Sequence, residues 1–313
     1  MEWGDEGAVS DPQAAAIHTQ GLTKDYGEGR GLFDLDLDIR PGEIFGFLGP
    51  NGAGKSTTIR LLMALLRPQR GRAEIFGLDC QERAVEVKRV VGYVPGEPPQ
   101  FGGLRGREVV AYLAAMAGGV DQAHVKDLAG RLQLDLGQRY REYSSGNRQK
   151  LILLLAFMHR PRLLILDEPT TGLDPLNQQE FNAMLREARD AGATAFLSSH
   201  ILSEVEHLCD RVGIIRGGRL ARVASLDELR HIRTHRVEIE FAGEPPLERI
   251  RTAAGVDDVV AEGHRVRCVV RGSFEGLVDA LSGATVTNLV SHEPTLEETF
   301  LEYYAQVPSA APC

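Results

Sequence analysis

The chain has 313 residues, of which 43% are hydrophobic and 25% are charged, and its formal net charge is −9. This composition is ordinary for a globular protein with room for one large and one small domain, and the acidic balance argues against a general nucleic-acid binder. No stretch reaches the roughly 18 apolar residues of a membrane span, and the acidic N-terminus does not resemble a signal peptide, so a cytoplasmic chain is expected.

The N-terminal part predicts a tail followed by β-strands. Residues 1–15 are rich in Gly, Asp and Ala without periodicity, and we expect a mobile tail there. A β pattern begins at Ile17, and Leu32–Ile39 alternates apolar and acidic residues as a half-exposed strand does. Tyr26 lies at the end of the first of these strands. Its ring could stack on an adenine, or Tyr26 could be an ordinary strand-end tyrosine.

A glycine-rich loop follows a predicted buried strand, Glu43–Leu48, and precedes a predicted helix, Thr58–Leu66. Its spacing, G-x-x-x-x-G-K-S, and its strand–loop–helix context are those of a phosphate-binding loop. Its backbone N–H groups and the helix N-terminus attract an anion, while the lysine reaches the β- and γ-phosphates and the serine hydroxyl coordinates Mg²⁺. The nucleotide-binding residues predicted here are Gly49, Pro50, Asn51, Gly52, Ala53, Gly54, Lys55, Ser56 and Thr57.

The next segment predicts two strands and a helical insert. Residues Arg72–Gly77 and Arg89–Val94 have the composition of strands. Two amphipathic helices, Gly106–Ala117 and Asp121–Leu132, follow and form an insert between two parts of an α/β core. Such an insert is a suitable surface for a partner.

A second anion site is indicated by the sequence Y-S-S-G-N, which opens an apolar helix over Leu151–Met158. Ser144 and Gly146 form a Ser-x-Gly turn, which offers a hydroxyl group, free N–H groups and a helix dipole. The alternative is that Ser144 is only an N-cap, since serine is a preferred cap residue.

Two acids end a predicted buried strand of aliphatic residues, at the strand end where open α/β sheets bind ligands. Asp167 can hold the Mg²⁺ that Ser56 also contacts, and Glu168 can polarise an attacking water molecule. The alternative, an acidic pair that merely faces solvent, is disfavoured by the neighbouring phosphate loop. His200 ends another short strand at the same edge, where it is either structural or bonded to the γ-phosphate. Asp174 lies in the tight turn between these strands.

From His231 onward the order strand, helix, two strands, helix, strand predicts a small ferredoxin-like sandwich. A final helix is predicted over Glu293–Tyr304, with a Thr295–Glu298 cap. The expected divisions are a tail at 1–15, a nucleotide-binding domain at 16–230 with a helical subdomain at about 100–160, and an accessory α+β domain at 231–313.

In this order the motifs resemble those of the ATP-binding subunit of an ATP-binding cassette (ABC) transporter. GPNGAGKST is similar to the Walker A motif, LLILDEPT to Walker B, YSSGNRQK to the signature, GLDP to the D-loop and SSH to the switch histidine. The resemblance covers residues 17 to about 230, and the signature is diagnostic because other P-loop classes lack it. The C-terminal part resembles extensions of bacterial ATPase subunits in multidrug, antibiotic-resistance and sodium export.

The resemblance implies an α/β P-loop fold with a mixed sheet core and a helical subdomain. It also implies head-to-tail pairing of two such domains, as a homodimer or heterodimer, with ATP on one Walker A loop capped by Ser144 and Gly146 of the other. Glu168 would activate water, His200 would hold the γ-phosphate and Asp174 would link the two sites. The activity implied is hydrolysis of ATP with Mg²⁺, which drives separately encoded transmembrane permease subunits in drug, antibiotic or ion efflux. The location implied is the inner face of the cell membrane, with no nucleic-acid partner.

Two positions depart from the family pattern. The signature reads Y-S-S-G-N in place of L-S-G-G-Q, but it keeps Ser144 and Gly146. The family usually has a glutamine after the strand G-Y-V-P, which contacts Mg²⁺ and the attacking water and senses the membrane subunit; Gly96 stands there. Slow hydrolysis or rewired coupling is therefore expected, with Glu97 and Gln100 as candidate substitutes.

Two other functions were weighed against the exporter. A soluble ABC ATPase acting on the ribosome or on DNA usually has two cassettes or a cassette split by a coiled coil, whereas this chain has one unsplit cassette and is acidic. A slow-turnover nucleotide-binding regulator is suggested by Gly96, but the presence of Glu168 and His200 argues against it.

Overall fold

The computed structural model describes residues 15–226 and 234–292. The chain divides into two compact units, residues 1–224 and 225–313, which are described separately below. Residues 1–14 of the tail predicted at 1–15, the predicted boundary near residue 230 and the predicted helix at 293–304 lie outside the described residues. Each helix in the described ranges is too short or too polar to cross a lipid bilayer.

The first unit combines two sheets with seven α-helices and a short 3₁₀ helix (Tyr140–Glu142) in its described part. Its strands are β1 (Ile17–Asp25), β2 (Gly31–Ile39), β3 (Ile44–Leu48), β4 (Arg70–Ile75), β5 (Leu78–Asp79), β6 (Val91–Val94), β7 (Leu163–Asp167), β8 (Thr194–Ser199), β9 (Arg211–Arg216) and β10 (Arg219–Ser225). Its helices are α1 (Lys55–Leu62), α2 (Ala84–Val90), α3 (Gly106–Met116), α4 (Gln122–Arg131), α5 (Ser145–Phe157), α6 (Pro175–Asp190) and α7 (Leu202–Leu208).

The six-stranded sheet has the order β10-β9-β3-β8-β7-β6, and the smaller antiparallel sheet has the order β2-β1-β4-β5. Strands β9, β3, β8, β7 and β6 run parallel, so their carboxyl ends share one edge. Leu48 is the register partner of Ser199, and Asp167 is that of Ser198. The loops that follow β3, β7 and β8 therefore begin at the same edge.

The core of this unit joins both sheets through α1. Strands β3, β7 and β8 are buried along their whole length, as expected of strands covered on both faces. Phe45 stacks on Phe196 with ring centroids 6.1 Å apart, and Phe47 lies 5.2 Å from the same ring. Truncating such a buried aromatic ring typically costs about 3–5 kcal/mol of stability. The sheet edge that carries the functional residues is thus built on rigid packing.

Several predicted boundaries were wrong. The strand predicted over Arg89–Val94 begins only at Val91, because α2 continues through Val90. The helix predicted from Thr58 to Leu66 begins at Lys55 and ends at Leu62. Its early start has a physical cause: Gly54 takes the left-handed backbone (φ 112°) that turns the loop directly into the first helical turn.

The second unit contains β11 (Thr234–Phe241), α8 (Leu247–Arg251), β12 (Val256–Glu262), β13 (Arg265–Arg271), α9 (Glu275–Leu281) and β14 (Val286–His292). The sheet order is β14-β11-β13-β12, and each neighbouring pair is antiparallel. Alternate residues of β11 and β13, including Ile239 and Val266, are buried beneath the two helices. This arrangement confirms the predicted ferredoxin-like sandwich.

Candidate functional site

The loop between β3 and α1 is shaped by glycines. Gly52 and Gly54 both have left-handed backbones, with φ of 81° and 112°. A Cβ atom on Gly49 would lie 2.4 Å from the carbonyl oxygen of Ile215, so only glycine fits there. Ser56 and Thr57 lie in the first turn of α1, where backbone N–H groups lack helical partners. The loop can therefore direct N–H groups and hydroxyls at a phosphate.

Lys55 is buried, with 5% of its side chain exposed. Its Nζ donates hydrogen bonds to the carbonyl oxygens of Gly49, at 2.7 Å, and Pro50, at 3.3 Å. Burial lowers the pKa of Lys55 below the usual lysine value, and the negative charges of Glu168 and Asp167 oppose that shift. The ammonium group is thus held beneath the loop and faces the two acids that follow β7.

A three-residue cluster forms where β3, β7 and β8 end. Oε1 of Glu168 lies 3.6 Å from Nζ of Lys55 and 3.1 Å from Nδ1 of His200. The backbone of Glu168 is left-handed (φ 48°), which is uncommon for a residue with a side chain. The structure therefore brings together the predicted phosphate-binding lysine, the predicted base and the predicted histidine. This agrees with the expectation that the loops after these strands lie at one edge of the sheet.

Asp167 is 5% exposed and its carboxylate is already oriented. Oδ1 accepts a hydrogen bond of 2.5 Å from Oγ of Ser198 on β8. On the opposite side, a Cβ atom on Gly96 would lie 3.1 Å from Oδ2, so the loop after β6 approaches this oxygen closely. Glu97 and Gln100, the candidate substitutes for the missing glutamine, are exposed residues of that loop.

The donor set fits a nucleotide with Mg²⁺. Magnesium usually takes one or two carboxylates together with substrate phosphates and water, and Asp167 offers a buried carboxylate whose Oδ2 is not engaged by Ser198. Ser56 offers a hydroxyl at the start of α1. Bound there, Mg²⁺ supplies neutralisation of the charge on the phosphates. The roles of Ser56 and Asp167 as ligands stay predictions.

The signature and the D-loop are in contact with each other. Ser144 is the N-cap of α5 and its Oγ accepts from the Asn147 N–H, at 3.2 Å. A Cβ atom on Gly146 would lie 3.0 Å from the carbonyl oxygen of Gly172. The buried side chain of Gln149 donates to the Pro169 carbonyl oxygen at 2.8 Å. The first turn of α5 thus packs on the segment that follows the two acids.

Asp174 caps α6, which begins at Pro175. Its carboxylate accepts from the backbone N–H of Asn177, at 3.0 Å, and from the side-chain amide of Asn177, at 2.6 Å. These bonds lower the pKa of Asp174. In the described residues, the side chains of Ser144 and Asp174 bond to the first turns of their own helices, and their roles in a nucleotide site stay predictions.

Tyr26 is 49% exposed, and its backbone N–H bonds to the carbonyl oxygen of Arg30 in the turn between β1 and β2. The ring is therefore free to stack on a flat ligand. Its role with adenine stays a prediction.

Sequence reasoning missed two residues that bond to the acids or to residues close to them in the chain. Ser198 was considered only as part of the S-S-H motif, although it bonds to Asp167. Glu204 on α7 was also missed; it accepts hydrogen bonds from Thr170 at 2.6 Å and from Ser199 at 2.8 Å. Ser198 is placed opposite Asp167 by the parallel pairing of β7 and β8, which the local sequence does not specify.

An open groove of about 720 Å³ lies between α2, β6, α3 and α5. Its walls are mainly apolar and include Leu113, Met116 and Leu155. Pro95 and Glu97, the two neighbours of Gly96, also line it. The groove therefore reaches the loop that contacts the Asp167 carboxylate.

Comparison with known proteins points to one family. The sequence profile of the ABC transporter family matches residues 32–171. The chain is 38% identical over 231 residues to the bacitracin transport ATP-binding protein of Bacillus licheniformis, covering 72% of this chain and 74% of that protein. It is 32% identical to a daunorubicin resistance ATP-binding protein of Streptomyces coeruleorubidus, over 91% of this chain and 95% of the other.

A solved structure described as the ATP-binding subunit of an ABC transporter has the same fold. It superposes with a TM-score of 0.64 and 32% sequence identity, and covers 69% of this chain and 92% of that one. The predicted α/β P-loop fold is confirmed by this likeness together with the observed mixed sheet.

Proposed function

The chain belongs to the ABC transporter family as an ATP-binding, ATP-hydrolysing subunit, and on that premise we propose that it powers an exporter by hydrolysing ATP at the edge formed by β3, β7 and β8. The observation that carries the proposal is the cluster in which Glu168 lies between Lys55 and His200. In this proposal the carboxylate reaches a water molecule at the γ-phosphate, and the side chains of Lys55 and His200 hold that phosphate.

In this proposal Lys55 and the N–H groups of its loop bind the phosphates, and Tyr26 stacks on the adenine. Ser56 and Asp167 would hold Mg²⁺. Glu168 takes the proton of the attacking water, and His200 bonds the γ-phosphate.

A second copy, or a related subunit, completes each nucleotide site in a head-to-tail pair. Ser144 and Gly146 belong to the N-terminal turn of α5, and the dipole of that helix end would attract phosphate oxygens of the other chain's ATP. Asp174 lies on the segment against which this turn packs, and would link the two sites. Sedimentation of the Glu168→Gln variant with and without ATP tests this pairing: a monomer that does not change mass with ATP would contradict it.

Separately encoded membrane subunits are proposed to contact the groove between α2, β6, α3 and α5, with the chain on the inner face of the membrane. The apolar walls suit a short amphipathic helix, and the groove borders the loop of Gly96, which gives a route to Asp167. Met116 lines it and is 69% exposed.

The test is co-expression with a candidate permease and measurement of its effect on ATP turnover. Met116→Glu is expected to abolish stimulation and leave basal turnover unchanged. The matched control is Tyr112→Glu on the same helix, which is 63% exposed but does not line the groove. Equal stimulation of the wild type, Met116→Glu and Tyr112→Glu would rule out the groove as the contact with the permease.

The cargo is proposed to be an antibiotic or drug, or an ion. This follows relatives that are named for bacitracin transport and daunorubicin resistance. The named relatives do not favour a soluble ATPase acting on ribosomes or DNA. Resistance of cells that carry the chain with its permease, compared with Glu168→Gln in the same cells, tests this assignment.

A further inference from the structure

Ser198 bonds to the side chain of Asp167 and to the backbone of Glu168. Its side chain is fully buried on β8, and its partner in the parallel register is Asp167 on β7. Its Oγ donates to Oδ1 of Asp167 at 2.5 Å. The backbone N–H of Glu168 donates to this Oγ and to the Ser198 carbonyl oxygen, each at 3.2 Å. One serine therefore bonds to both acids.

The two oxygens of Asp167 have different surroundings. Oδ1 is occupied by the Ser198 hydroxyl, whereas Oδ2 faces the loop at Gly96. A Cβ atom at position 96 would lie 3.1 Å from Oδ2 and 3.3 Å from Cγ, closer than ordinary van der Waals contact. The backbone of Gly96 is not left-handed, so glycine is not required there by its φ angle. What glycine provides at position 96 is space beside Oδ2.

We propose that Ser198 is a positioning residue for the metal-binding carboxylate and that Gly96 keeps the free side of that carboxylate open. Ser198 holds Oδ1, which leaves the lone pairs of Oδ2 for the metal ion. By accepting the N–H of Glu168, it also holds the backbone from which the base projects. The inference rests on the proposed role of Asp167 as a metal ligand.

This geometry also bears on why position 96 has glycine in place of the glutamine that is usual in the family. A glutamine there, the residue usual in the family, brings a Cβ atom toward Oδ2. Introducing it is therefore expected to weaken the metal site of this chain rather than to restore it. Gly96 stands between two groove-lining residues, Pro95 and Glu97, so its loop lies between the groove and the Asp167 carboxylate.

The experiment measures Mn²⁺ binding to the full chain with a non-hydrolysable ATP analogue, by electron paramagnetic resonance of the free ion. Loss of a group that orients a ligand typically weakens metal binding about 10- to 100-fold, so Ser198→Ala is expected to bind Mn²⁺ at least tenfold more weakly. Ser199→Ala is the matched control, because Ser199 bonds to Glu204 instead. Ser198→Thr keeps the hydroxyl and is expected to retain most of the affinity.

Gly96→Ala tests the other side of the carboxylate and is expected to weaken Mn²⁺ binding as well. Gly103→Ala is its control, because a Cβ atom there meets nothing within 4 Å and its backbone is not left-handed. If Ser198→Ala does not fold, as judged by thermal unfolding, Ser198→Cys replaces it, because a thiol has nearly the same size but is only a weak hydrogen-bond donor; wild-type Mn²⁺ affinity in Ser198→Cys would overturn the role of Ser198.

A further variant, Asp167→Asn, separates this inference from the proposed function. If Asp167→Asn loses Mn²⁺ while Ser198→Ala and Gly96→Ala bind it as the wild type does, the inference is overturned and the function stands. If Asp167→Asn binds Mn²⁺ normally, the metal role fails and the inference fails with it.

Discussion

Replacing Glu168 by Gln is expected to slow ATP turnover and, at the same time, to tighten ATP binding. The substitution keeps the shape of the side chain but removes a charge that lies 3.6 Å from Nζ of Lys55 and 3.1 Å from Nδ1 of His200. Loss of a general base typically lowers the rate about 10²- to 10⁴-fold. The carboxylate also competes with an incoming phosphate for the Lys55 ammonium group, so its removal favours the nucleotide.

The gain in ATP affinity can be estimated from the distance between the carboxylate of Glu168 and the Nζ atom of Lys55. Two unit charges 3.6 Å apart attract by about 4–5 kcal/mol at an effective dielectric constant of about 20. A quarter of the Glu168 side chain is exposed, and water screening leaves roughly a third of that attraction. The remainder, about 1.4 kcal/mol, corresponds to about tenfold tighter binding.

Two assays measure the two effects separately: phosphate release for turnover, and titration with a fluorescent ATP analogue for binding. Glu187→Gln, at a mostly exposed acid of α6 that faces Arg131, serves as the control. Unchanged turnover in Glu168→Gln would refute the assignment of the base. Lost turnover with unchanged or weaker binding would refute the argument that Glu168 competes for Lys55.

Three further predictions follow from the packing. Gly49→Ala is expected to weaken ATP binding at least tenfold, because its Cβ atom would lie 2.4 Å from the carbonyl oxygen of Ile215; normal binding in the same titration would contradict this. Arg131→Met is expected to lower the free energy of unfolding by about 1–3 kcal/mol, because Arg131 forms ion pairs that join α4 to two glutamates of α6. Urea denaturation measures this change, and an unchanged midpoint would show that these ion pairs contribute little to stability. Burial raises the pKa of Cys80 to about 12 and that of Cys268 to about 11, so at pH 8 both thiols are expected to resist a disulfide reagent in the folded protein and to react once guanidinium unfolds it; rapid labelling of either thiol without denaturant would contradict their burial.

The parts of the fold that were predicted are those encoded by local patterns. The strand, glycine loop and helix around Lys55 follow from spacing and turn chemistry within one short segment. The boundary between α2 and β6 was misplaced because the apolar run around Val90 and Val91 is equally consistent with helix and strand. Periodicity alone does not mark where such a run changes its conformation.

The parts of the site that were missed depend on the register of distant strands. Ser198 reaches Asp167 because β7 and β8 pair in parallel with these two residues opposite each other. Nothing local to either residue specifies that register. The space that Gly96 leaves beside Oδ2 of Asp167 likewise depends on the path of a loop more than seventy positions earlier in the chain. The sequence was therefore enough to predict Asp167 and Glu168 as site residues, but not to predict the neighbouring residues that orient them.

The left-handed backbone of Glu168 lowers the stability of the fold, whereas its carboxylate is needed for ATP turnover in the proposed mechanism. Such a conformation costs of order 1–3 kcal/mol for a residue other than glycine, whereas asparagine tolerates it better. Of two neutral replacements, Glu168→Asn is therefore expected to leave a more stable fold than Glu168→Gln, although neither keeps the carboxylate. Laboratory evolution that selects for heat resistance alone would discard the glutamate, and only selection for turnover retains it.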